Sequence, residues 1–379
     1  MAGMQDEGRD LLARCRGGSA TWAEAACGEA IDDEGRWTDP NAARRYALLL
    51  ALQYDLRAPD RALVRYLFEQ EALRHRREPL QGLFPALRLG GYLLATFRAV
   101  EHVWLFAEAK LANFDTFLGF DREHLVSASI EETLAYVHAA SVHPLREQVL
   151  EWLVRADGRY LVSEEDLAAW WHLMVANYPA RQADEDPMAR LEQALVLGDV
   201  VEARRWLEAW EATLPRTPDR LSTLAWYWEQ LRDWDRAGTV AAEYLAHDGL
   251  DAEDRASMQV HAATYHRKAG RAAEAGRQLM AARDTLAGIE RWWDIGFGRM
   301  AMEEALLLAQ ASPAGDEGAR AAYRWAAEQL ARRGAASLQL LQLAEAAAAH
   351  LGDDEGRALY GRRAQRERRR LDRERRNVR

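Results

Sequence analysis

A chain of 379 residues with 49% apolar and 29% charged residues is long enough for two or three domains or for one elongated helical array, and its composition excludes a disordered or fibrous protein. The net charge of −10 argues against general affinity for nucleic acid, but it is uneven: residues 361–379 carry ten Arg against Glu367, Asp372 and Glu374, leaving −17 on the other 360 residues. Two cysteines, Cys15 and Cys27, are too few for a disulfide framework or a metal cage; the opening MAGMQDEGRD lacks an export pattern, and no apolar run approaches the roughly 18 residues of a membrane span, so a cytoplasmic protein without membrane contact is expected.

Few Pro and few β-branched residues favour helices, and no alternating strand pattern or Asn-Gly hairpin appears. All basic residues but Lys110 and Lys268 are Arg, which reads as the coding bias of a high-GC bacterium. In the looser half, residues 1–180, RGGSATWAEA predicts a first turn between helices. DPNAARRYALLLALQYDL predicts a helix with Asp39 as N-cap and Pro40 in its first turn. Helices over PDRALVRYLFEQEALRHRRE and LFPALRLGGYLLATFRAVEHVWLFAEAK follow. SEEDLAAWWHLMV opens with a capping box of Ser163 and Asp166. The polar, Pro-containing stretch 180–189 is the expected break between halves.

Beyond it a pattern recurs. LGDVVEA ends at Ala203, LRDWDRA at Ala237 and KAGRAAEA at Ala275, steps of 34 and 38 residues. A small turn followed by Ala at this period is a helix–turn–helix repeat signature, the Ala letting paired helices approach closely. Gly198, Asp199, Ala203, Leu207 and Pro215 make the first unit. Leu221, Leu224, Ala225, Trp228, Asp233 and Ala237 make the second, and Ala263, His266, Gly270, Ala275, Leu279 and Ala282 the third. These residues resemble the tetratricopeptide repeat, well over 189–287 and fairly over 289–376, where SPAGDEG lengthens one turn. Trp210, Tyr244 and His266 depart from the family pattern. The resemblance implies an all-α fold, an α-solenoid of antiparallel helix pairs (a TPR-like superhelix). Residues 1–180 would form a divergent half, 188–360 the repeats, and 361–379 an Arg-rich helical extension beginning near Asp354.

Searches for chemistry are mostly negative: no phosphate loop, no GxGxxG, no HExxH and no GxSxG elbow occur, and the pairs His138/His143 and His261/His266 have poor metal spacing. No catalytic residue, metal or cofactor is assigned. The densest polar interruption of an apolar run is VEHVWLFAEAKLANFDTFLGFDREHLV, where Lys110, Asn113, Asp115 and His124 make a candidate binding site. A position that keeps Lys against an Arg bias points to a need for a compact ammonium. The alternative is a turn capped by Asp115 and Thr116. Trp226 and Trp228 sit at helical spacing, as repeat core or as lining of a groove. Arg366, Arg369, Arg370 and Arg373 are candidate contacts for an anionic partner. The expected function is a non-enzymatic scaffold or adaptor binding a protein or peptide on a concave helical-repeat surface. A regulatory protein contacting nucleic acid or another anion through the tail is the alternative, with an enzyme site near Lys110 and Asp115 a third. Nucleic acid is not favoured, since the tail has no stacking aromatics, and self-association is left open.

Overall fold

The structure is a computed structural model that describes residues 4–32, 35–78, 82–332 and 336–377. It is all-helical, with neighbouring helices packed on one another, apart from a two-residue pairing of Ala30–Ile31 (β1) with Trp37–Thr38 (β2), strands too short to carry any alternation. Two compact units divide the chain, Met1–Ala209 and Trp210–Arg379.

The first unit contains α1 (Met4–Gly17), α2 (Ala42–Tyr54), α3 (Arg61–Arg77), α4 (Pro85–Ala95), α5 (Val103–Lys110), α6 (Phe114–Gly119), α7 (Ile130–Ala139), α8 (Arg146–Leu153), α9 (Glu164–Asn177) and α10 (Pro187–Leu197). The α2 sequence is apolar on every side, which a helix tolerates only when surrounded. Residues Arg45 to Gln53 are accordingly all buried, and α2 packs against α1, α4 and α10. Asp39 is not its N-cap; Asn41 takes that place and the helix begins at Ala42. Asp39 is drawn instead to the buried Arg45, which donates to Asp39 Oδ2 at 2.6 Å, Glu71 Oε1 at 2.5 Å and the Ala25 carbonyl at 3.1 Å. A guanidinium shut away from water needs such compensation. The stretch RGGSATWAEA is not a turn between two α-helices: α1 ends at Gly17, and Ser19–Ala25 within the stretch form a 3-10 helix. The Ser163–Asp166 capping box is present at the start of α9.

The 180–189 stretch does not separate the units. Gln53 Nε2 donates to the Pro179 carbonyl and to Glu185, Gln193 Nε2 donates to Glu185, and Tyr178 stacks on Tyr92. These bonds tie the stretch to the first unit. The division falls within α11 (Val200–Thr213) instead.

The second unit contains α12 (Pro218–Gln230), α13 (Trp234–Leu245), α14 (Ala252–Lys268), α15 (Ala272–Leu286), α16 (Gly296–Ala311), α17 (Glu317–Arg332), α18 (Leu338–Leu351) and α19 (Asp354–Asn377). Each helix packs on the next, and α14 with α16 and α16 with α18 also touch directly. Polar links join alternate helices. Tyr265 Oη donates to Glu229, Arg267 clamps Glu304 at 2.6 and 2.9 Å, and Gln310 Nε2 donates to the Leu343 carbonyl. The expected small contacts are present: Ala203 in the first unit, and Ala237 and Ala275 in the second, are fully buried. The Arg-rich end is not a separate segment, since α19 runs unbroken from Asp354 and buries Tyr360 and Ala364.

One turn geometry explains the recurring LGD, LRD, AGR and LGD. Gly198, Arg232, Gly270 and Gly352 all adopt the left-handed conformation, with φ of 71°, 54°, 77° and 74°. The next residue donates its N–H to the carbonyl five positions back in all four: Asp199 to Ala194, Asp233 to Trp228, Arg271 to His266 and Asp353 to Ala348. This closes one helix by a Schellman arrangement. Where that residue is Asp, its carboxylate accepts a first-turn N–H of the following helix, from Glu202, Arg236 or Gly356.

Candidate functional site

Lys110, Asn113 and Asp115 are brought together around α6. Asn113 is the N-cap of this short helix: its Oδ1 accepts from Thr116 N at 2.8 Å, while Thr116 Oγ1 accepts from Asn113 N at 2.9 Å. Asn113 Nδ2 also reaches the His75 carbonyl. Lys110 closes the other end, its buried Nζ donating to the carbonyls of Phe117 at 2.7 Å and Phe120 at 2.6 Å. An ammonium on the last carbonyls of a helix meets the negative end of its dipole. A compact point donor suits two converging oxygens better than a planar fork does, which explains why Lys stands here. Burial presses the Lys110 pKa down from its ordinary value, with the charge of Arg122 adding to it. Asp115 does not cap the turn; its Oδ2 accepts from Gly82 N at 2.9 Å, pinning the first turn of α6 to the loop before α4.

His124 lies apart from these three, in an aromatic box. Its ring stacks on Phe120 with centroids 4.2 Å apart, and Trp170 meets it edge-on at 4.7 Å. Gly91 closes the box, because a Cβ there would lie 3.0 Å from both His124 Nε2 and the Phe120 ring. His124 Nδ1 faces the Asp121 carbonyl at 3.2 Å, and Asp121 also accepts from Trp170 Nε1. Burial lowers the His124 pKa from 6.5 to about 4, so the ring is neutral at physiological pH. The four residues therefore hold a turn and a core together. What they hold out to solvent is apolar: Phe114 and Leu118 are 68% and 66% exposed.

The two Trp candidates part company. Trp228 is fully buried and donates Nε1 to Glu211 at 3.2 Å, so it is core and lines no groove. Trp226 is half exposed against Tyr227. Of the Arg candidates, Arg366, Arg369, Arg370 and Arg373 line one cleft of about 890 Å³ with Arg363, Glu367 and the start of α18 at Ala336, Ser337 and Leu341. Arg370 is paired with Glu367 and Glu374, and Arg373 Nε donates to the Arg369 carbonyl.

A further surface was not singled out by sequence. A groove of about 550 Å³ runs between α15 and α17, with Ala273 and Gly276 on one side, Ala321 and Gly318 on the other, and Leu279 and Leu308 beneath. Arg277 and Asp316 are its charged members. The signal lies in AAEAG at the start of α15 and GARAA at the start of α17, two helices on, which put small residues on both walls. Among the described residues no group of three or more His, Cys, Asp or Glu could hold a metal ion, and no helix is long and apolar enough to cross a membrane. No family model, no curated protein and no solved structure matches the chain.

Proposed function

We propose that this chain is a non-catalytic protein–protein interaction scaffold of the tetratricopeptide type, its second unit an α-solenoid of antiparallel helix pairs that receives a helical segment of a partner protein. The observation that carries this reading is the groove between α15 and α17, walled by Ala and Gly above an apolar floor. Small walls let a guest helix approach closely, and the half-buried Met280, above the buried Leu279 and Leu308, offers apolar surface to its large side chains. The repeated left-handed turns and the polar links between alternate helices support a stacked array, which creates extended binding surface without any catalytic group. The candidate polar groups near Lys110 give no comparable support to an enzyme, because Lys110 and Asn113 are spent on backbone partners.

The test is selection of helical peptides from a displayed library on the full chain. Enriched peptides should share apolar residues at i, i+3 or i+4, and i+7. Gly276→Trp, whose side chain enters open groove space, should reduce their binding at least tenfold while helix content is unchanged. Enriched peptides that bind Gly276→Trp as well as the parent would overturn the reading, as would a library that yields none.

A further inference from the structure

The Arg-lined cleft at the end of the second unit is separate from the groove and has different chemistry. Five Arg and one Glu face it from α19, while the α18 side supplies Ala336, the N-cap Ser337 and Leu341. Arg366, Arg369, Arg370 and Arg373 stand at i, i+3, i+4 and i+7, one stripe along an exposed helix. Like charges at this spacing repel within the free helix, so the stripe is unfavourable to α19 itself. Arg363 is turned inward, donating to the Leu330 carbonyl, and Arg370 is neutralised by two Glu. Arg366, Arg369 and Arg373 remain as exposed side chains lining the cleft, without a carboxylate partner among the described residues.

We propose that this cleft binds an acidic helical segment of a partner protein, one whose carboxylates recur at i, i+3 or i+4, and i+7. Two helices share the same rise of about 1.5 Å per residue, so a row of Glu on the guest matches the Arg row turn for turn. Arg forks bind carboxylates in pairs of hydrogen bonds. Ala336, half-buried above the buried Leu341, gives the guest an apolar contact beside the charges. Nucleic acid fits less well on two counts: no aromatic side chain lines the cleft to stack a base, and the remaining 360 residues carry −17.

The test uses the full chain and fluorescence anisotropy with three labelled probes. One is a helical peptide with Glu at i, i+4 and i+7, one has the same composition with its Glu dispersed around the helix, and one is a single-stranded DNA of equal charge. The ordered peptide should bind tightest, at least fivefold above the dispersed one, with affinity falling as salt rises. Arg366→Glu/Arg369→Glu/Arg373→Glu should lose at least tenfold, and the Lys triple variant should keep most of the binding. Circular dichroism checks that both variants keep their helix content, which the exposure of all three sites predicts. Equal binding of the two peptides, tighter binding of DNA, or binding unchanged in the Glu triple variant would overturn the proposal. Because the groove is not involved, Gly276→Trp should bind the ordered peptide normally, which separates this claim from the proposed function.

Discussion

Protonating His124 works against the fold. The unfolded chain takes up that proton near the ordinary 6.5, the folded chain only near 4, so stability is fully present above 6.5 and declines as pH falls from there toward 4. Urea denaturation at pH 7.5 and pH 5 should therefore show a parent loss about 2 kcal/mol greater than that of His124→Phe, which keeps the ring packing. Equal losses would mean that His124 is charged in the fold. Lys110→Met should cost about 2–4 kcal/mol, because the Phe117 and Phe120 carbonyls lose a charged donor. Denaturant midpoints measure it, and a loss below 1 kcal/mol would contradict the role given to Lys110. Part of this was legible in the sequence, since the Lys kept amid Arg marked a position that needs an ammonium. Its partners were not, because backbone carbonyls carry no residue signature. Trp226 and Trp228 were separable in principle: two positions along a helix are about 200° apart, so only one of them can face the core.

The repeated turn is the unit of construction at the scale of elements, and Arg232 is its exception. A non-glycine residue at φ 54° carries strain that Gly does not, and Arg232 is exposed. Arg232→Gly should raise stability by about 0.5–1 kcal/mol; a decrease would show that Arg232 makes a contact that matters. Gly276 is the reverse case. It lies within α15, and a Cβ there would meet only Leu308, at 3.9 Å. Gly276→Ala should add about 0.4–1 kcal/mol, read as a higher melting temperature. In α19, Tyr360 and Ala364 are buried while Arg366, Arg369 and Arg373 are exposed, so packing ends near Ala364. The helical continuation was readable from the acidic start and basic end of the segment. The packed first half was not, because Tyr360 and Ala364 are two small signals in a polar run. The short elements of the first unit also escaped the sequence: α6 is six residues held by Lys110, Asn113 and Asp115, too brief for any periodic pattern.

For the whole molecule, composition and period were enough to expect helices throughout, and the all-helical fold agrees. The expected break at 180–189 failed because a polar, Pro-containing stretch is as well suited to capping as to linking, and here Glu185 and Pro179 accept bonds from Gln53. The chain presents two chemically distinct surfaces in its second unit, an apolar groove and a cationic cleft. Hydrogen–deuterium exchange on the full chain, with and without a peptide selected on it, tests the scaffold reading most directly. Added protection is expected in residues 272–280 and 318–322, the two sides of the groove, with α19 beyond Ala364 unchanged. Protection confined to other segments, or none at saturating peptide, would contradict it.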